Sequence, residues 1–147
     1  MTTPIQKYGP ARALPGETIQ ITTNPNTEPF WQAAKAHRLT ACQCGDCGAF
    51  RMPPTAYCPE CSSNKANFPE LPGTGTVFSF AICNRNPANG EPYVYVPIVV
   101  TLDGAPGVHL NANVSGCDAE DVHIGMKVTV DWTNIANGWV LPNFKKV

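Results

Sequence analysis

Two cysteine pairs, Cys44-Gly45-Asp46-Cys47 and Cys58-Pro59-Glu60-Cys61, separated by ten residues, restrict this chain more than any other feature. A tetrahedral metal site needs two such pairs, each close enough in sequence for one turn to aim both sulfurs at a single ion. The spacing therefore predicts a zinc ribbon with Cys44, Cys47, Cys58 and Cys61 as ligands. Four thiolates leave no position for water, so the Zn2+ is expected to be structural and to generate no hydroxide nucleophile. Two disulfides or free core thiols are the competing readings. Cys42, Cys83 and Cys117 bring the total to seven, and an odd count is a poor disulfide framework.

With 147 residues, the chain suits one compact domain or two minidomains. Its start, Met1-Thr2-Thr3-Pro4-Ile5, lacks a basic stretch followed by an apolar one, and Pro and Gly interrupt every apolar run before it could span a bilayer. A cytoplasmic protein without a membrane segment is expected. The net charge of -1, with no run of Lys and Arg, offers no general attraction to a polyanion.

Residues 1–26 are rich in Pro, Thr, Asn and Gly without periodicity and are expected to form an extended arm that needs a surface to lie on. Thr27-Glu28-Pro29 then supplies a helix start: a capping hydroxyl, an acid near the N-terminus and a proline in the first turn. Phe30, Ala34 and His37 follow at helical spacing, which predicts a short helix ending near Arg38. Helix and ribbon together make up residues 27–72. The ribbon segment from Leu39 to Cys61 is short, polar and proline-bearing, so metal is expected to hold it together. Cys42 stands two residues before Cys44, on the same face of an extended segment, and reads as a packing thiol.

From Gly73 to the C-terminus, residues 73–147, the texture becomes β-rich. The runs are Thr76 to Cys83, Tyr93 to Leu102, Val108 to Val114, Lys127 to Thr133 and Trp139 to Phe144. An acid-rich stretch from Cys117 to Gly125 between the third and fourth runs reads as one helical turn. Three strands, a helical turn and two strands is the order of a five-stranded OB-fold barrel. Pro97 predicts an edge or bulge in the second strand, and the loop from Asn86 to Glu91 is placed where OB-folds often bind. The expected fold class is therefore mainly β: an N-terminal helix and rubredoxin-like zinc ribbon, then an OB-fold barrel.

A series of short strings in a fixed order resembles a known family, the acyl-CoA-associated zinc-ribbon and OB-fold accessory proteins. They are Pro29-Phe30-Trp31, Cys44-Gly45-Asp46-Cys47-Gly48, Met52-Pro53-Pro54, Cys58-Pro59-Glu60-Cys61, Gly73-Thr74-Gly75-Thr76-Val77-Phe78-Ser79-Phe80 and Pro92-Tyr93. Val99 to Asp103, Ile124-Gly125-Met126-Lys127-Val128 and Leu141-Pro142-Asn143-Phe144 complete the series. The resemblance covers nearly everything after the arm. The chain departs from it in the arm itself, in Cys42, and in Ser62-Ser63 where glycine commonly follows the second knuckle. It implies a small partner subunit of a thiolase-type enzyme, in a hetero-oligomer such as α2β2, that supports the pocket for a coenzyme A thioester without catalysing the reaction. Partners of 2-benzoylsuccinyl-CoA thiolase and of steroid or archaeal isoprenoid enzymes are all of this kind, and no residue here chooses among them.

The residues themselves agree with a non-catalytic role. His37, His109 and His123 stand in unrelated contexts, and none is paired by sequence with a nucleophile. Cys83 lies in an apolar strand and Cys117 beside a turn, where packing outweighs catalysis. No catalytic residue is assigned. For the partner interface, Phe30, Trp31, Tyr95 and Trp139 are the aromatic candidates. Two other functions are open: an iron-holding electron carrier of the rubredoxin kind, and single-strand nucleic-acid binding with Phe78, Phe80, Tyr93, Tyr95, Trp132 and Trp139 as stacking surfaces. The missing basic funnel argues against nucleic acid.

Overall fold

A computed structural model describes residues 8–147. The expected helix is present as α1, Glu28–Lys35, with a proline in its first turn. Thr27 is its N-cap by position, but its hydroxyl makes no capping bond to the helix. The preceding turn is closed by Asn24 instead, whose side-chain oxygen accepts from the amides of Asn26 and Thr27. The helix stops three residues short of Arg38. His37 takes a left-handed φ of 58°, and the amides of Arg38 and His37 donate to the carbonyls of Ala33 and Ala34, a Schellman closure that ends helical pairing.

The ribbon is a small antiparallel sheet of β1 (Cys42–Cys44), flanked by β2 (Phe50–Arg51) and β3 (Ala66–Asn67). The ribbon has support beyond its four clustered cysteines. Leu39, Ala41 and Leu71 are buried in the same apolar cluster as Phe30 and the barrel residues Val77, Val100 and Phe144. The Leu71 amide also donates to the Leu39 carbonyl at 2.7 Å, tying the ribbon's two ends together. A short, polar segment thus borrows a core from its neighbour, which the composition of the segment alone does not reveal.

The barrel strands are β4 (Thr74–Phe80), β6 (Tyr93–Leu102), β7 (His109–Ser115), β8 (Lys127–Asn134) and β9 (Val140–Lys146), with a short extra strand, β5 (Cys83–Arg85), paired to the start of β6. β4 pairs with both β6 and β8, β6 with β7, β8 with β9, and β7 runs parallel to β9, so the five long strands form a closed ring of pairings. The helical turn between the third and fourth barrel strands is a single 3-10 turn, Ala119–Asp121. Inward residues alternate along β6, where Val96, Ile98, Val100 and Leu102 are all buried, as a half-exposed strand requires. Gly75 sits where β4 crosses β6 so closely that a Cβ would come within 2.5 Å of the Val100 side chain.

The first β run differs from expectation. It breaks after Phe80, and Cys83 belongs to the separate strand β5. The register shift lies on β4 between Val77 and Ser79, not at Pro97. Pro97 instead stands where β6 changes partner from β5 to β4, while its carbonyl accepts from the Ala81 amide. A proline is tolerated there because the missing amide falls between two pairings.

The arm already has its surface. The Ala11 amide donates to the Cys117 carbonyl at 2.9 Å and the Arg12 amide to the Val94 carbonyl at 3.0 Å, while Ala119 donates to Gly9. Ala11 is 5 % exposed and joins the core. The expectation that another subunit must supply the arm's surface is therefore corrected for residues 9–12: the barrel's own β6 and 3-10 turn do so. The part of the arm before Tyr8 lies outside the described residues. No helix of the described residues is long and apolar enough to cross a membrane.

Candidate metal centre and adjoining groove

The two knuckles are near copies of one turn. In the first, Cys44 donates its amide to the Ala49 carbonyl at 2.8 Å and Gly48 donates to Cys44 at 3.1 Å. In the second, Cys58 donates to Ser63 at 2.8 Å and Ser62 to Cys58 at 2.9 Å. Gly48 and Ser62 both adopt left-handed conformations, φ 79° and 65°. The serine pair that departs from the family pattern thus copies the glycine turn. Ser63 adds a clasp across the centre: its hydroxyl donates to Asp46 of the first knuckle at 2.5 Å, and Lys65 pairs with the same carboxylate at 3.5 Å.

The four sulfurs of Cys44, Cys47, Cys58 and Cys61 lie within 4.8 Å of one another, with Cys44 and Cys61 3.5 Å apart and Cys47 and Cys58 3.6 Å apart. A tetrahedron with metal–sulfur bonds of about 2.3 Å separates its corners by roughly 3.8 Å, so the set fits one zinc ion. Backbone donors are aimed at the sulfurs: the amides of Asp46 and Cys47 approach Cys44, and that of Glu60 approaches Cys58, all at 3.4 Å. The amides of Cys47 and Asp46 lower the Cys44 thiol to about 6. Cys61 has the Ser63 amide in its favour, but the crowding sulfurs of Cys44, Cys47 and Cys58 push it up to about 12. Four thiols packed this tightly cannot all ionise alone; a divalent cation removes that conflict.

Cys42 is not part of the set. It is 1 % exposed, and burial raises its thiol despite the nearby Arg51. Cys83 and Cys117 also lie apart from the centre, and all seven cysteines are free. The three histidines remain separate: His37 stacks on Trp132, His109 on Phe78, and His123 contacts the Asp121 carbonyl. His109 Nδ1 also lies 3.2 Å from the Thr101 hydroxyl at an exposed position, and no cysteine among the described residues is paired with a histidine.

The aromatic candidates for an interface fall on different elements. Phe30 is 4 % exposed and belongs to the core, with Trp31 set edge-on against it at 5.0 Å. Tyr95 faces Cys83 across the β5–β6 pair. Trp139 carries the Lys35 ammonium over its ring at 4.0 Å. Of the six rings considered as stacking surfaces, Phe78, Trp132 and Trp139 therefore already carry a side chain on one face.

A groove of about 770 Å³ opens between the start of α1, the ribbon and the β6–β7 face of the barrel; Trp31, Phe50, Met52, Val99 and Leu110 line it. Arg51, 6 % exposed, is the one Lys or Arg in its wall. The groove escaped the sequence reading because its walls come from three segments. Arg51 itself left a trace, a lone cation between Phe50 and Met52-Pro53-Pro54. A second, polar cavity of about 390 Å³ lies where the arm meets the β5–β6 hairpin, between Arg12, Tyr93 and Asn86, so the loop beginning at Asn86 does border a cavity.

Comparison with known proteins agrees with this architecture. Residues 31–65 match the rubredoxin-like zinc ribbon domain of ChsH2, and residues 69–133 match the C-terminal OB-fold domain of ChsH2. A solved structure described as an Ltp2-ChsH2(DUF35) aldolase superposes with a TM-score of 0.77 at 31% identity, covering 86% of this chain and 98% of that one. A probable enoyl-CoA hydratase alpha subunit of Thermomonospora curvata is 35% identical over 79% of this chain and 36% of its own length. A DUF35 domain-containing scaffold protein of Methanocaldococcus jannaschii is 31% identical over 61% of this chain and 64% of its own. The chain thus spans little more than a third of the hydratase subunit it matches, and just under two thirds of the scaffold protein.

Proposed function

We propose a role from the premise that this chain belongs to the DUF35 family of ChsH2-type proteins, a zinc ribbon followed by an OB-fold. In this reading it is a non-catalytic accessory subunit of a complex acting on coenzyme A thioesters. The partner is of the thiolase type and makes or breaks a carbon–carbon bond next to the thioester, while this chain supports the assembly and borders the acyl-CoA pocket. The observation that carries the reading is the superposition on nearly the whole of a chain described with Ltp2 as an aldolase. Two features support the division of labour. The four-sulfur centre offers no open coordination position. The spare cysteines are paired with no histidine among the described residues, and the one hydroxyl beside an imidazole, Thr101 at His109, is exposed.

A second reading is favoured by one observation, the alpha-subunit name of the Thermomonospora relative: the partner then hydrates an enoyl-CoA. Zn2+ bound by Cys44, Cys47, Cys58 and Cys61 has the same structural role in both cases. A cytoplasmic setting goes with either. Tagging the chain in its own cells, identifying the subunit that elutes with it and assaying that complex for carbon–carbon cleavage and for hydration separates the two. Cleavage supports the first reading, and hydration alone replaces it with the second.

A further inference from the structure

The polar cavity between the arm and the β5–β6 hairpin is walled by side chains that lack partners. Arg12, Asn84 and Asn86 line it with Tyr8, Pro10 and Tyr93, and no Asp or Glu is part of its wall. Glu91 stands next to a wall residue in sequence but does not line the cavity. The ion pair found among the described residues joins Lys65 and Asp46, so Arg12 is paired with no carboxylate there. Its guanidinium and the side-chain amides of Asn84 and Asn86 make no hydrogen bond to any described residue. Glu120, the acid nearest the arm in its bonding, accepts from the amides of Tyr8 and Gly9 instead.

The backbone that carries these groups is fixed. The Arg12 amide donates to the Val94 carbonyl at 3.0 Å, Ala11 bridges to Val94 in parallel, and the Ala11 amide donates to Cys117 at 2.9 Å. Asn84 is the cross-strand partner of the same Val94 within the β5–β6 pair. One residue of β6 therefore gathers a cation from the arm and an amide from the hairpin. The volume, about 390 Å³, lies within the range of small-molecule sites.

The chemistry of the wall describes the occupant. A guanidinium with free donors favours a phosphate, whose oxygens can take two of them at once. An asparagine amide both donates and accepts, and pairs with the N6 and N7 edge of adenine. Coenzyme A ends in a phosphorylated adenosine, which carries both groups. We propose that this cavity holds that adenosine, with Arg12 on a phosphate and Asn84 or Asn86 on the base, so that this chain grips the thioester by the end remote from its acyl group. The proposal rests on the accessory-subunit reading and adds a substrate site to it. Arg12 lies outside both segments that match the ChsH2 domains, residues 31–65 and 69–133, so the cation of the site is not part of what defines the family.

The test titrates the full-length, zinc-loaded chain with adenosine 3′,5′-bisphosphate and follows the Arg12 Nε–H and the side-chain amides of Asn84 and Asn86 by NMR. All three signals are expected to shift, with inorganic phosphate and adenosine each binding about tenfold more weakly or worse. Arg12→Met should weaken the bisphosphate about tenfold, whereas Arg38→Met, exposed beyond α1, should not. In the complex drawn from its own cells, Arg12→Met should raise KM for a coenzyme A thioester and bring it toward that of the matching pantetheine thioester, which lacks the nucleotide. No shift of the three groups at millimolar bisphosphate, or an unchanged KM, overturns the proposal and leaves the accessory role standing. Equal binding of inorganic phosphate, which marks a simple anion site, also overturns it, as does tighter binding of a single-stranded oligonucleotide. A complex that contains no acyl-CoA enzyme removes the accessory role, and coenzyme A as the occupant with it.

Discussion

The imidazole of His37 lies flat on the indole of Trp132, with ring centroids 5.5 Å apart and planes 10° from parallel. His37 is also the left-handed residue that closes α1, so one side chain ends the helix and fastens it to β8 of the barrel. Glycine is the usual residue at such a closure, and a side chain there costs roughly 1–2 kcal/mol of backbone strain. Stacked aromatic pairs return about 0.5–1.5 kcal/mol. His37→Gly is therefore expected to change stability by less than about 1 kcal/mol, because strain and stacking are lost together. His37→Ala keeps the strain, loses the stack and should destabilise by about 1 kcal/mol in urea unfolding. If His37→Ala proves neutral, the stack contributes nothing.

The metal centre yields a contrast between a cysteine of the set and one that stands just before it in sequence. Cys47→Ser should strip the zinc, whereas Cys42→Ala should keep one zinc per chain and lose about 1 kcal/mol of packing. Without zinc the ribbon should loosen while the barrel keeps its strand signal. The loosening should be partial near Leu39 and Leu71, which are buried in the common core. Elemental analysis with circular dichroism measures both. Stoichiometric metal in a variant lacking all four ligand sulfurs would refute the assignment. A red protein would indicate iron; a colourless one, zinc.

Ser62 offers the simplest stabilising change. Its φ of 65° matches the 79° of Gly48 in the sister knuckle, so Ser62→Gly removes strain that the first knuckle never has. A gain of about 0.5–1 kcal/mol is expected, less than the full strain because glycine also loosens the unfolded chain. Ser63→Ala should act the other way by removing the clasp on Asp46. Thermal melting of the zinc-loaded chain distinguishes the two signs.

Glu28 carries a pH dependence. Its carboxylate accepts hydrogen bonds from the Thr23 hydroxyl and the Gln32 amide, and these hold its pKa below the ordinary value. A depressed folded pKa contributes stability that is present above the unfolded value, about 4.3, and is lost as pH falls through the lowered folded value. Thr23→Val should move the Glu28 titration upward, read by NMR of its carboxyl carbon. An unchanged titration in Thr23→Val would show that the Thr23 bond does not set it.

Much of this was legible because some signals are local. Four cysteines at fixed spacing define a metal centre whatever surrounds them, and alternation in Val96, Ile98, Val100 and Leu102 marks one face of a strand. The closure of α1 was misread by three residues because His37 continues a helical pattern while its backbone leaves the helix. The arm looked dependent on another subunit because its few apolar residues gave no sign that Ala11 reaches the core. Trp31 and Trp139 read alike as exposed anchors, yet one lines a groove and the other lies under Lys35. Such differences arise from contacts between distant segments, which neither composition nor period encodes.

The central claim is that this chain acts only with a partner. Native mass spectrometry of the tagged chain drawn from its own cells, followed by turnover assays on the intact assembly and on the separated chain, tests it most directly. The account predicts a zinc-loaded chain bound to a subunit of an acyl-CoA enzyme, with activity confined to the assembly. A chain that travels alone, or that cleaves an acyl-CoA thioester by itself and loses this activity when Cys83, Cys117 or a histidine is replaced, would contradict it.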